Sequence, residues 1–102
     1  MIKLEVKQLH SFSEKSKGLL AHSTPIAVFF TTHFGIHTFF MKYPIDVIIL
    51  DNRNTVVALR ENMLPNSIFL WNPLHEKVVE MPRGTIHSKM IRKGDKISLF
   101  LT

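Results

Sequence analysis

Two acidic residues beside apolar segments are the positions in this sequence best suited to chemistry. Asp46 begins the apolar run from 45 to 50, and Glu80 lies near the end of the alternating segment from 77 to 81. A carboxylate buried without a partner costs on the order of several kcal/mol, so each acid must reach a cation, backbone donors or water. A carboxyl group whose pKa is shifted toward neutral pH by such surroundings can act as a general acid or base.

A basic residue lies close in sequence to each of these two acids. Lys42 precedes Asp46 by four residues, and Arg83 follows Glu80 by three. One interpretation is a pair of ion pairs that orient the strand ends. The other is a polar pocket at one rim of the sheet, which would bind a small anionic ligand or a protein partner. The predicted pocket consists of Lys42, Asp46, Glu80 and Arg83, with Phe39, Met41 and Trp71 as its apolar wall.

Other kinds of site find little support in the sequence. There is no Cys, which excludes disulfides and thiolate chemistry, and the four Gly are isolated and form no phosphate-binding loop. His33 and His37 are four residues apart, which on an extended strand spans about 13 Å and is too far for one metal. We therefore predict no metal, no cofactor and no catalytic residue. An enzyme acting on a small anionic substrate, with Asp46 or Glu80 as acid or base, stays as an alternative.

The chain is basic, with a formal net charge of +5 and a pI near 9.8. Such a charge favours association with anions, nucleic acid among them. The thirteen Lys and Arg are spread along the chain without a basic run, and no RNA-recognition signature is present. Weak, non-specific nucleic-acid binding is therefore a second alternative to a binding or accessory module.

Short strands account for most of the pattern that must position these residues. Alternation of apolar and charged residues predicts a first strand over 2–9, and a Ser-x-x-Glu capping box predicts a helix over 11–18. Turn signals predict hairpin connections at 33–35 and 52–54, and a single helical turn is expected over 85–91. Further strands are predicted over 26–32, 36–42, 45–51, 55–61, 68–71, 77–81 and 96–101.

Strands joined by short turns, without long helices between them, indicate an antiparallel β-sandwich or barrel. The length of 102 residues predicts one domain over 1–102, with about seven strands and one or two short helices. The apolar run from 45 to 50 is too short to span a membrane, and the first ten residues lack the features of a signal peptide. We therefore expect a cytoplasmic protein without a membrane partner.

Several spaced motifs resemble one family. In order along the chain they are Gly-Leu-Leu at 18–20, Phe-Met-Lys at 40–42, Pro-Ile-Asp-Val-Ile at 44–48, an Asp-Asn turn at 51–52, Val-Val at 56–57, Glu-Met-Pro-Arg-Gly at 80–84 and Gly-Asp at 94–95. The chain from about 15 to 100 thereby resembles domain-of-unknown-function family one hundred and ninety-two. That family typically has Gly-Leu-Met at the first motif and Trp-Met-Lys-Asn-Thr where this chain has Phe-Met-Lys-Tyr at 40–43. The resemblance implies a compact β-rich sandwich or barrel and implies no activity. It marks Met41, Lys42, Pro44, Asp46, Glu80, Pro82, Gly84, Gly94 and Asp95.

Overall fold

The computed structural model describes residues 1–9, 27–39 and 41–101, which form mainly β-strands. The strands are β1 (Ile2–Gln8), β2 (Val28–Thr31), β3 (Ile36–His37), β4 (Ile45–Leu50), β5 (Val56–Met63), β6 (Ile68–Phe69), β7 (Lys77–Pro82) and β8 (Ile97–Leu101), with one helical turn, α1 (Thr85–Ser88). Six strands form one sheet in the spatial order β5-β4-β7-β2-β1-β8, and β3 pairs with β6 in a small second sheet.

The apolar run at the centre of the sequence is also a central strand of the large sheet. β4 pairs antiparallel with β5 on one side and with β7 on the other, and all six of its residues are buried. A strand with neighbours on both sides and cover on both faces can be apolar throughout. The predicted buried strand is therefore confirmed. The hairpin predicted at 52–54 is confirmed as well, since it joins β4 to β5 and its Asn54 N–H donates to the Asp51 carbonyl at 3.0 Å.

The predicted fold class is confirmed, because the described part of the chain is mainly β and curls into a half-barrel with one short helix. The pairs β2–β7, β4–β7, β4–β5 and β3–β6 are antiparallel, whereas β1 runs parallel to both of its neighbours, β2 and β8. The curl brings the two edge strands together at one end. There Thr55 bridges Lys96, and the Ile97 N–H donates to the Asn54 carbonyl at 2.9 Å.

The segment from 33 to 42 differs from its prediction. A hairpin at 33–35 would pair β2 with β3, but β2 pairs with β1 and β7, and β3 pairs with β6. The predicted strand over 36–42 is only two residues long, because the chain turns at the buried Thr38. Its hydroxyl donates to the Leu64 carbonyl at 2.7 Å and accepts the Ser67 N–H at 2.9 Å, which holds the turn against β6.

Alternation along the strands divides the core between the two faces of the large sheet. One set of buried residues, including Ile48, Val79 and Met81, packs with Ile86 of α1, and we call this side the helix face. The other set, including Val47 and Val78, packs with residues of the small sheet, and we call this side the small-sheet face. Any strand residue can thus be assigned to one of two separate environments.

The helical turn predicted over 85–91 is observed as α1, and it ends in a Schellman motif. The Ile91 N–H donates to the Ile86 carbonyl at 2.9 Å, and the Met90 N–H donates to the His87 carbonyl at 3.2 Å. The helix predicted over 11–18 lies outside the described residues. Within the described part of the chain, no helix has the length and apolar character needed to cross a membrane.

Candidate functional site

Asp46 is a buried carboxylate that accepts three backbone hydrogen bonds. Its Oδ1 accepts the Asn62 N–H at 2.8 Å, and its Oδ2 accepts the Ile86 N–H at 2.9 Å and the Gly84 N–H at 3.1 Å. These donors satisfy the charge that burial would otherwise leave exposed to a low dielectric. The side chain therefore ties β4 to β5 and to the turn that begins α1.

A β-bulge directs one of these donors to Asp46. In the β4–β5 pairing Ile45 lies opposite Met63 and Val47 lies opposite Arg60, so that two residues of β5 face the single residue Asp46. An extra residue of this kind re-aims the local backbone. Asn62, in the bulge, has a φ of 51°, a left-handed conformation that Asn adopts more readily than most residues. The bulge thus turns the Asn62 N–H toward the carboxylate.

The two acids of the predicted pocket do not lie on the same side of the sheet. In the β4–β7 register Asp46 is opposite Met81 and Val47 is opposite Glu80. Directly opposed residues share a face and neighbouring residues alternate. Asp46 therefore belongs to the helix face, and Glu80 belongs to the small-sheet face. A single pocket lined by both carboxylates does not form.

The remaining predicted pocket residues divide in a similar way. Met41 and Trp71 pack with the core residues of the small-sheet face, the face that carries Glu80. Lys42 and Arg83 are exposed. Asp46 takes its hydrogen bonds from backbone N–H groups and not from either cation. The structure therefore brings Met41, Trp71 and Glu80 to one face and leaves Lys42 and Arg83 exposed.

Tyr43 adds a titratable group to the small-sheet face. Its ring packs against the core cluster of that face. Burial, followed by the negative charge of Glu80, raises the pKa of the Tyr43 hydroxyl above its usual range. Both effects disfavour the tyrosinate, so Tyr43 is neutral at physiological pH and can act as a hydrogen-bond donor or acceptor.

A group of exposed large apolar side chains surrounds the small sheet. Phe34 is 90% exposed, Leu74 is 82% exposed and Leu70 is 69% exposed. Ile68 and Phe39 are exposed as well. We call these five residues the apolar surface. Solvated apolar area of this kind is stabilised when another apolar surface covers it, which makes it the feature of the described chain best suited to association.

Several contacts connect the segments that carry the apolar surface. His37 lies opposite Ile68 in the small sheet, and the His37 ring stacks on Phe39 with centroids 4.6 Å apart. The loop that carries Phe34 meets the loop that carries Leu74, because His33 Nδ1 lies 2.6 Å from the Pro73 carbonyl oxygen. These contacts hold the two loops together and place Phe39 near His37 and Ile68 of the small sheet.

Gly35 fixes the spacing between the two loops. Its φ is 83°, in the region that favours glycine, and a Cβ there would lie 2.5 Å from Leu70 Cδ2 and 2.8 Å from the Phe69 carbonyl oxygen. Only glycine allows this approach without displacing backbone atoms. The position of Leu70 on the apolar surface depends on it.

Histidine at 33 and 37 has contacts other than metal. His33 Nε2 lies 2.8 Å from Glu76 Oε2, and both of these side chains are about half exposed. The described residues contain no group of three His, Cys, Asp or Glu side chains arranged to hold a metal ion. The contacts of His33 and His37 are with protein groups in and beside the small sheet.

Comparison with known proteins decides the family. The family model of DUF192, described as an uncharacterised ACR, matches residues 2–99. The chain belongs to the DUF192 family. The resemblance inferred from the motifs is thereby confirmed, and the family carries no assigned activity.

One relative and one solved structure extend the comparison. A UPF0127 protein of Pyrococcus horikoshii is 32% identical to this DUF192 chain, over 94% of the chain and 88% of the relative. The crystal structure of a protein of unknown function from Novosphingobium aromaticivorans has a TM-score of 0.78 and 18% identity, and the match covers 89% of this chain and 71% of that one. The second likeness shows the fold alone.

Motif positions of this DUF192 chain meet in one structural unit. Pro82 lies opposite Ile45, and the Gly84 N–H donates to Asp46. The motif residues around Asp46 therefore have a structural explanation that needs no ligand.

Two features of the site were not predicted from the sequence. The apolar surface was missed because the residue type alone does not distinguish an exposed apolar side chain from a buried one. Tyr43 was missed because nothing in the residues around it indicates a titratable group in a buried environment.

Proposed function

We propose that this DUF192 chain is a binding module that docks a partner protein on the apolar surface. The observation that carries the proposal is the presence of five exposed large apolar side chains in the small sheet and in the segments that flank its strands. Monomeric soluble proteins rarely expose contiguous apolar patches larger than a few hundred Å², and larger patches mark interaction sites. The aromatic rings of Phe34 and Phe39 are of the type that anchors interfaces.

Charge supports an acidic partner over a second copy of the chain. Arg60 lies at the rim of the apolar surface, where its Nη1 donates to the Ile68 carbonyl at 3.1 Å and its guanidinium stands 5.7 Å from the centre of the Phe69 ring. The nearby carboxylate of Glu76 already contacts His33. The chain carries a formal charge of +5, so two copies repel each other. We infer an occupant with an apolar segment flanked by Asp or Glu.

Site-specific photo-crosslinking in cells of the source organism tests this proposal. A benzoylphenylalanine placed at Ile68 should give a discrete adduct with an acidic protein, whereas the same group at the exposed Lys93 should not. The captured protein is then purified and its affinity measured by calorimetry. Binding should have a negative heat-capacity change, because apolar area is buried, and should weaken as salt rises.

Surface variants connect the measured affinity to the apolar surface. The double variant Phe34→Ser/Leu74→Ser should lose about tenfold or more in affinity while its thermal midpoint stays close to that of the wild type, since both side chains are exposed. Phe100→Ser removes an exposed aromatic ring from β8 and should bind like the wild type. Unchanged affinity in the double variant would overturn the proposal. So would sedimentation that shows the wild type as a homodimer and the double variant as a monomer.

The part of the predicted pocket on the small-sheet face supports a second candidate function, the binding of a small ligand beside Met41, Glu80 and Trp71. It is supported by the packing of Met41 and Trp71 with the core of the face that carries Glu80. A thermal-shift screen of nucleotides, sugars and carboxylates tests it, because a ligand that binds the native state raises the midpoint. A shift that Trp71→Phe reduces supports the candidate, and no shift across the screen rejects it. The proposed location of either function is the cytoplasm.

A further inference from the structure

A cleft open to solvent lies between the start of β1, the end of α1 and the turn that precedes β8. Its volume is about 620 Å³, and the described residues that line it are Met1, Ile2, Lys89, Met90, Gly94, Asp95 and Lys96. This volume is in the range of small-molecule sites, which is roughly 300 to 1,000 Å³. The cleft shares no residue with the apolar surface.

Met90 is held in an unusual conformation at the edge of this cleft. It occupies the position after the helix cap in the Schellman motif, where glycine is common, and its φ is 55°. An L-residue in the left-handed region is strained, because its Cβ comes close to the following carbonyl oxygen. The side chain is also 67% exposed. The fold therefore holds a flexible apolar group in contact with water at a conformational cost, beside the apolar side chain of Ile2.

The charge in the cleft is positive. Lys89 and Lys96 contribute two ammonium groups, and Asp95 contributes the carboxylate among the lining residues. Asp95 Oδ2 accepts the Arg92 N–H at 2.8 Å, so this carboxylate is engaged within its own turn. Lys96 Nζ donates to the Arg53 carbonyl at 2.9 Å, which uses one of the three N–H bonds of an ammonium group.

We propose that this cleft binds a small phosphate monoester whose body is apolar or aromatic. The two ammonium groups match a phosphate monoester, whose charge at neutral pH is about −1.5 to −2. Met90 and Ile2 supply the apolar contacts for the body of the ligand, and methionine adapts its shape to flat or irregular groups. Arg92 and Lys93, which are exposed in the adjoining turn, add to the positive potential that draws such an anion to the site.

Phenyl phosphate is the simplest probe of this chemistry. In a titration followed by amide NMR it should shift the signals of Met90, Gly94 and Lys96, with a Kd of about 1 mM or lower. Inorganic phosphate lacks the body and phenol lacks the charge, so each should bind at least about tenfold more weakly. The same titration with an unphosphorylated thymidine oligonucleotide distinguishes a phosphate-monoester site from a general nucleic-acid surface.

Variants separate the two halves of the proposed site. Lys89→Gln/Lys96→Gln should weaken phenyl phosphate binding by about tenfold or more. Met90→Ser should weaken phenyl phosphate but leave the affinity for inorganic phosphate unchanged. Lys42→Gln is the matched control, because Lys42 is exposed and does not line the cleft, and it should bind both probes like the wild type.

The outcomes are decisive in either direction. Local shifts that saturate with phenyl phosphate and are lost in the double lysine variant support the proposal, provided that urea unfolding shows the variant to be folded. Should that variant fail to fold, single Lys89→Gln and Lys96→Gln proteins replace it. Absence of local shifts, equal affinity for phosphate and phenyl phosphate, or tighter binding of the oligonucleotide that Lys42→Gln also weakens would overturn the proposal.

Discussion

Asp46 and Glu80 lie on neighbouring strands of one sheet and point to its opposite faces. Both are buried, and Val47 lies directly opposite Glu80 while Asp46 lies opposite Met81. The sheet thus separates two carboxylates that would repel each other if they shared a cavity. The Asp46 carboxylate accepts three backbone hydrogen bonds on the helix face. Glu80 acts on the other side, where its charge influences Tyr43.

Replacing Asp46 should destabilise the fold. Asp46→Asn keeps the shape but substitutes an N–H₂ for one carboxylate oxygen, so at least one of three backbone donors loses its acceptor inside the protein. We expect the free energy of unfolding to fall by about 2 to 4 kcal/mol, measured by urea denaturation. Lys42→Gln is the control and should change it by less than about 0.5 kcal/mol. A near-neutral Asp46→Asn would contradict a structural role.

Tyr43 should ionise at unusually high pH. It is the one tyrosine in the sequence, so tyrosinate absorbance near 295 nm reports it alone. Because burial and then Glu80 raise its pKa, the midpoint should lie above the ordinary value of about 10. Glu80→Gln should lower the midpoint but leave it raised, since burial is the larger cause. A midpoint that Glu80→Gln returns fully to the ordinary value would reverse this order.

The raised pKa of Tyr43 also fixes the sign of a stability change. A group whose pKa is higher in the folded protein binds its proton more tightly there, so its contribution is complete below the unfolded pKa of about 10. That contribution is lost as pH rises through the folded value. Tyr43→Phe, which cannot ionise, should therefore lose less stability than the wild type over this alkaline interval, as followed by urea midpoints.

Asp51 should contribute to stability in the opposite direction of pH. The Thr55 N–H and the Arg53 N–H both donate to its Oδ1. The hydrogen bond from Thr55 is the largest cause that lowers the pKa of this carboxyl group; burial opposes it to a smaller extent, and the hydrogen bond from Arg53 lowers the pKa further. Its contribution is present above the unfolded pKa of about 4 and is lost as pH falls through the folded value. Asp51→Asn keeps an acceptor oxygen for both N–H groups. The variant should show a flatter acid limb in thermal unfolding; an unchanged limb would count against the assignment.

Glycine at position 90 should stabilise the protein. Met90→Gly removes the left-handed strain of an L-residue, and the lost side chain is largely exposed, so little packing is given up. We expect a gain of about 0.5 to 1 kcal/mol in the free energy of unfolding. Lys89→Gly, at a φ of −97°, is the matched control and should give no gain. A loss of stability on Met90→Gly would show that the Met side chain itself supports the fold.

The sequence was sufficient to predict the buried strand β4 and the hairpin that follows it. The β-branched run at 45–50 and the Asp-Asn turn after it identify β4 and its hairpin, because burial on both faces and turn chemistry are both visible in sequence. The prediction of a strand over 36–42 was wrong, because the alternation of residue types continues through Thr38. The chain turns there because the Thr38 hydroxyl bonds to Leu64 and Ser67, which are distant in sequence and cannot be recognised from local pattern.

The register places the two acids of the predicted pocket on different faces of the sheet. Asp46 and Glu80 both border apolar strands, and a pairing shifted by one residue would have placed them on the same face. Nothing in either strand alone decides between these registers.

The left-handed conformation of Met90 could not be predicted either, because the helix end carries neither Gly nor Asn at the position where the backbone turns left-handed.

The parallel pairing of β1 with β8 has a consequence for biosynthesis. Ile2 pairs with Ile97, and Val6 pairs with Leu101, so β1 cannot form this ladder until β8 has also left the ribosome. Contacts of such long sequence separation slow folding, because the loop between them must be closed first. Until β8 is available, the edge of β1 that pairs with it keeps its backbone N–H and C=O groups unpaired, so chaperones have a longer interval in which to bind this strand.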